Sequence, residues 1–171
     1  MSGIAKPALS VSAMFAEREE MRRNDKEAEG QLQRRKEEEL AAFKQRLETF
    51  QLTSEIIEAF LGRVKRAFER GENELMITSF PSSFCADQGR AITNAGAPPI
   101  NKPAKDEPKP DEPDWLATMP AGVRPVHEYW QTNLKPGGFG LSARIIDYPG
   151  GMPGDVGLFL TWPKDASELQ R

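Results

Sequence analysis

The chain has 171 residues, 38% of them apolar and 29% charged, with a net charge of −3 at pH 7. This length predicts one domain with room for an appendage. The acidic balance argues against a nucleic-acid partner, because such binders carry a basic excess that neutralises phosphates. The single cysteine, Cys85, excludes an internal disulfide and fits a reducing compartment. With no signal-peptide pattern and no apolar run near the ~20 residues of a membrane span, the sequence predicts a cytoplasmic protein.

The N-terminal part of the sequence predicts helix. Residues 1–13 are small and polar and are predicted to be a flexible tail. Residues 14–71 lack proline and are rich in Glu, Arg, Lys, Gln and Ala, so they predict a charged, coiled-coil-like helical region that stops at Gly71. Between residues 17 and 39 there is almost no apolar face, which predicts a solvated helix supported only by weak i, i+4 pairs.

From residue 40 onward, apolar residues recur at alternating steps of three and four, as in a heptad seam. The apolar members of the seam are Leu40, Phe43, Leu47, Phe50, Ile57, Leu61, Val64 and Phe68, and its one polar member is Ser54. The unbroken spacing favours one continuous or kinked helix, whereas Thr53 and Ser54 are good N-cap residues that allow a break near 52–54 into two helices. Such a stripe must be buried on the chain's own sheet or on a second copy. The 40–70 helix is therefore the predicted interface for a protein partner or a homodimer.

Residues 73–163 predict a small α+β domain with three strands, mainly antiparallel, and two short helices. The firmest feature is a hairpin in which Val156, Leu158, Leu160 and Trp162 alternate on one face. The other predicted elements are a strand ended by Pro81, a short helix from Ser82 to about Asn94, and a helix from about Val123 to Leu134. We expect this sheet to be too small to hold a large buried site.

A proline-rich linker interrupts the predicted domain at residues 96–113. Six of its eighteen residues are proline, which excludes a packed core there and predicts a disordered, exposed loop. Residues 164–171 are predicted to be a polar tail. The segments 80–95 (FPSSFCADQGRAITNA) and 143–163 (ARIIDYPGGMPGDVGLFLTWP) resemble parts of small bacterial proteins of unknown function, alphaproteobacterial ones among them. That resemblance implies a recurring module and carries over no catalytic residue.

Few residues suggest chemistry. Cys85, Asp87 and Arg90 follow a predicted strand, where ligands often bind. A helix start would lower the pKa of Cys85, and Arg90 would hold an anion or pair with Asp87. The competing interpretation is a buried structural cysteine in a salt-bridged loop. His127, the only histidine, has no metal-ligating neighbours in sequence. We assign no catalytic residue, metal or cofactor.

The loop from Pro149 to Asp155 is rich in glycine but does not fit a phosphate-binding loop. It lacks the Lys-Ser/Thr pair, and a strand follows where a helix is needed. It is predicted to be a structural hairpin loop in which Asp155 bonds the turn backbone.

Three functions remain open. The first is a non-enzymatic interaction module that self-associates or docks through the 40–70 helix. The second is a regulator that touches nucleic acid through arginines and lysines of the helical arm. The third is a small enzyme that uses the Cys85–Arg90 loop.

Overall fold

A computed structural model describes residues 9–94 and 112–170. The chain divides into two units, Met1–Phe43 and Lys44–Arg171. All but the last two residues of the predicted linker, and most of the predicted N-terminal tail, lie outside the described residues. The helices and strands, in chain order, are α1 (Val11–Glu48), α2 (Ser54–Glu69), β1 (Glu74–Pro81), α3 (Arg90–Thr93), α4 (Val123–Tyr129), β2 (Gly140–Ile145) and β3 (Asp155–Thr161). The predicted α+β class is confirmed.

Helix α1 starts three residues before the predicted boundary. The Ser10 hydroxyl accepts a hydrogen bond from the Ala13 N–H at 3.1 Å, which caps the first turn. None of its 38 residues is buried, which agrees with the solvated helix predicted for residues 17–39 but not with the buried stripe predicted from residue 40 onward. Its internal bonds include Gln33 to Glu37 at 3.3 Å.

The favoured continuous helix is wrong, and the two-helix alternative is confirmed. The chain leaves the helix at residues 49–53, and the Thr53 hydroxyl accepts the Ile56 N–H at 3.3 Å to start α2. Gly71, at φ 82°, ends α2 as predicted. The Gly71 N–H donates to the Phe68 carbonyl at 2.9 Å, and the Glu72 N–H donates to the Ala67 carbonyl at 3.0 Å. These two hydrogen bonds form a Schellman motif.

The three strands form an antiparallel sheet in the order β1-β3-β2. The predicted hairpin is the β2–β3 pair, and Leu160 lies opposite both Leu75 and Leu141. Val156, Leu158 and Leu160 have no exposed surface, so the predicted alternation is confirmed. One sheet face packs on α2, where Val64 and Ala67 meet Leu160 and Trp162.

The opposite sheet face is partly covered by its own side chains. The guanidinium of Arg144 lies 3.8 Å from the centre of the Phe159 ring and pairs with the Glu74 carboxylate at 2.8 Å. The sequence places Phe159 opposite the core set, and this cation–π stack accounts for its half-buried state there.

Both predicted short helices differ from the structure. The segment from Ser82 to Asn94 is a 3₁₀ turn at Ser82–Phe84 followed by a loop and α3. It is not one helix, because Gln88 and Gly89 adopt φ values of 58° and 83°, outside the helical region. The segment 123–134 is helical throughout, but its second half, Trp130–Leu134, is a π-helix.

Candidate functional site

The structure splits the predicted seam between three environments. On α2 the residues that face the core are Phe60, Val64 and Ala67. Of these only Val64 belongs to the predicted seam, so the buried face of α2 is rotated relative to the predicted one. Leu47, Phe50 and Ile57 are half-buried and line an apolar cavity that is partly open to solvent. Leu61 and Phe68 stay 37% and 62% exposed. In the N-terminal unit, Leu40 is exposed and Phe43 is half-buried.

We call the first feature the apolar cavity. It has a volume of about 370 Å³. Its walls come from α2, from the inner face of the sheet, from α4 with the π-helix, and from residues 47–52 at the end of α1 and in the connection to α2. The sheet supplies only part of this lining and the helices supply most of the rest, so the expectation that the sheet is too small to hold a large buried site stays a prediction.

One wall of this cavity corresponds to a helix face that the sequence pattern predicts. In the predicted helix from Val123 to Leu134, the spacing puts Val126, Tyr129, Trp130 and Leu134 on one face, and all four line the cavity. No sequence signal places them against Ile56 and Phe60, because that contact joins segments about 70 residues apart.

The second feature, which we call the groove, lies on the other side of α2. Its floor and walls are Leu61, Val64, Phe68, Phe139 and Trp162, and its volume is about 470 Å³. The charged residues that line it are Lys65, Lys164 and Asp165. The groove therefore combines exposed apolar side chains with charges of both signs.

The loop proposed for chemistry is structural in its contacts. Burial, followed by the nearby Asp87 charge, raises the pKa of Cys85 to about 11, so the expected lowering of its pKa is wrong. Asp87 accepts the N–H groups of Gly89 at 3.0 Å and Ala91 at 2.8 Å. Within the described ranges, no ion pair joins Asp87 to Arg90. The Asp87 carboxylate therefore bonds the backbone of its own loop, and the buried Cys85 fits the structural interpretation.

His127 is 2% exposed and lies between two indoles. Its ring centre is 6.5 Å from that of Trp115 and 5.5 Å from that of Trp130. Among the described residues, its Nε2 finds no hydrogen-bond partner. Burial is the main cause that lowers the pKa of His127. The nearby carboxylates of Glu112 and Glu128 raise this pKa, whereas the cations of Arg124 and Lys135 lower it.

This burial predicts a pH-dependent stability. The unfolded chain protonates its imidazole near pH 6.5, whereas the folded protein does so only at lower pH, so stability falls as pH drops below about 6.5. We expect the free energy of urea unfolding to decrease from about pH 7.5 to about pH 5.5, and to decrease less in His127→Phe, which keeps a ring between the tryptophans. Equal decreases in both proteins would contradict this role for His127.

The hairpin loop is closed by a different carboxylate from the one predicted. Asp147, not Asp155, bonds the turn backbone: its Oδ1 accepts the Asp155 N–H at 2.6 Å. Its carbonyl also accepts the Gly154 N–H at 2.9 Å. The glycine-rich segment therefore has a structural explanation in the β2–β3 connection.

Two kinds of functional feature are absent from the described ranges, 9–94 and 112–170. They contain no cluster of three or more His, Cys, Asp or Glu side chains suited to a metal ion. No helix there has the length and apolar character needed to cross a bilayer. The comparisons found no matching protein-family model, no similar curated protein and no similar solved structure.

Proposed function

We propose that the protein is a non-enzymatic self-association module in which a second copy of the chain covers the groove. The observation that carries this proposal is the pair Leu61 and Phe68, which remain 37% and 62% exposed beside the groove. They are seven residues apart on α2, so they lie two turns apart on the same face of the helix. An exposed aromatic side chain next to an apolar depression is the usual centre of an interface.

The groove is suited to a copy of itself. A two-fold contact is self-complementary, so one patch must carry both the inserting side chain and the depression that receives it. Phe68 is the inserting side chain, and the space bordered by Phe139 and Trp162 is the depression. The opposite charges of Lys65 and Asp165 at the same patch allow one copy to pair with the other, which steers association.

The supporting observations favour this function over the two alternatives. The thiol of Cys85 is buried with a raised pKa, and the Asp87 carboxylate is engaged by backbone, so nothing specific favours an enzyme. No feature of the described surface specifically favours nucleic acid. The single cysteine supports the further proposal that the module works in the reducing cytoplasm.

Sedimentation velocity of the full chain over a range of concentrations tests the proposal. We expect a concentration-dependent dimer, and a weakening of dimerisation by at least about ten-fold in Phe68→Glu, because the charge would be buried in the apolar contact. Phe68 is exposed, so the substitution should leave the fold intact.

Met152→Glu is the matched control, since Met152 is 68% exposed and lies in the hairpin loop away from the groove residues. It should dimerise like the unmodified chain. A monomer at all concentrations, or equal effects of the two substitutions, would overturn the assignment of the groove to a second copy.

A further inference from the structure

The apolar cavity is separate from the groove, because the two share no lining residue. Its volume, about 370 Å³, lies within the roughly 300–1,000 Å³ range of small-molecule sites. The cavity is partly open, since Ile56 and Arg63 of its lining are exposed. An apolar cavity of about 150 Å³ already holds one benzene ring. A cavity more than twice as large accommodates a hydrocarbon body of on the order of ten carbons.

The lining residues select an apolar body. Ile57, Phe60, Val126, Leu158 and Leu160 are among those that line the space, and they come from α2, α4 and β3. Trp130 also lines it, and its indole N–H is already donated to the Phe139 carbonyl at 3.0 Å. Because its hydrogen-bonding group is engaged elsewhere, Trp130 offers the cavity an apolar ring.

One charged side chain, Arg63, belongs to the described lining. It is exposed, and none of the ion pairs found among the described residues involves it. A guanidinium matches a carboxylate with two parallel hydrogen bonds. A single cation balances a singly charged carboxylate, whereas a phosphate dianion would keep one charge unpaired. Thr78 and Tyr129 also line the cavity and supply the few polar groups typical of such sites.

The backbone of one wall is also unusual. Trp130–Leu134 forms a π-helix, and both of its terminal residues line the cavity. Single π-helical turns are rare and occur frequently at functional sites. Here the wide turn carries Trp130 and Leu134, so the irregular backbone and the cavity coincide.

We propose that the apolar cavity binds a monocarboxylate with a hydrocarbon body of on the order of ten carbons, and that Arg63 pairs with its carboxylate. The hydrocarbon body packs against α2, the sheet and the π-helix. This site is independent of the groove, so ligand binding and self-association can fail separately.

Titration calorimetry of the full chain with decanoate, below its micelle concentration, tests the proposal. We expect saturable binding of one molecule per chain. Arg63→Gln should weaken decanoate by at least about ten-fold and leave 1-decanol binding unchanged, because decanol lacks the charge. Lys65→Gln is the matched control, since Lys65 is an exposed cation on the same helix that lines the groove and not the cavity. It should leave the affinity for decanoate unchanged.

A second variant tests the cavity itself. Val126→Phe places a ring in the space that the hydrocarbon would occupy and should abolish binding of both decanoate and decanol. Three results would overturn the proposal: no saturable decanoate binding, the same loss of affinity in Arg63→Gln and Lys65→Gln, or undiminished binding in Val126→Phe. Arg63→Gln keeps the test decisive even where Val126→Phe lowers stability, because Arg63 is exposed.

Discussion

Gly122→Ala should destabilise the protein by about 3 kcal/mol, lowering the melting temperature by on the order of 10 °C. A Cβ at this position would collide with the Leu47 carbonyl and would lie 2.7 Å from the Cβ of Phe50. Backbone lies on one side of the new methyl group, so no flexible side chain can yield. The end of α1 and the residues that follow it must therefore move away from the start of α4.

A second glycine provides the control with the opposite sign. Gly62 lies inside α2, and a Cβ there would meet only the Arg66 side chain, at 3.8 Å. Gly62→Ala should stabilise the protein by up to about 1 kcal/mol, because alanine favours the helix interior. Urea unfolding of the three proteins measures both effects. A Gly122→Ala variant as stable as the unmodified protein would show that α4 does not hold residues 47–50 as closely as described.

Cys85 should react with a thiol reagent at least about a hundred-fold more slowly in the folded protein than in urea at neutral pH. Burial raises its pKa to about 11, so the thiolate is about a hundred-fold scarcer than for an ordinary cysteine. The side chain is also only 3% exposed, which blocks the reagent directly. Both effects act in the same direction.

The labelling rate also decides between two functions. Slow labelling is the result expected for a structural cysteine. Labelling of the folded chain as fast as that of the unfolded chain would contradict the burial and return the Cys85–Arg90 loop as a candidate active site. Because the chain has one cysteine, every labelling event reports on this position, and no second thiol needs to be removed.

Parts of the fold that depend on neighbouring residues were predictable. The β2–β3 hairpin followed from the alternation of Val156, Leu158 and Leu160, because a strand has a period of two whatever packs on it. The stop at Gly71 followed from its tolerance of positive φ. The predicted seam located α2 correctly but not its buried side, because an apolar stripe wider than two positions per heptad fits several rotations of the helix.

The break after α1 shows where local reasoning ends. The three-four spacing continues across residues 49–53, so periodicity alone favours one helix. The structure instead joins the Glu48 carboxylate to the Ala121 N–H at 3.0 Å, across a sequence separation of 73 residues. That bond and the close approach at Gly122 are tertiary, and only the capping ability of Thr53 was visible in the sequence.

The candidate sites show the same difference between what the local sequence predicts and what tertiary contacts decide. The sequence by itself determined the α+β class, the solvated N-terminal helix, the strand pattern and the apolar character of residues 40–70. Only the tertiary structure decided that Leu61 and Phe68 stay exposed beside the groove, that Ile57 lines the apolar cavity, and that Cys85 is buried. Exposure, cavities and pKa depend on which distant segments meet, and the energies that bring them together come from packing summed over the whole core.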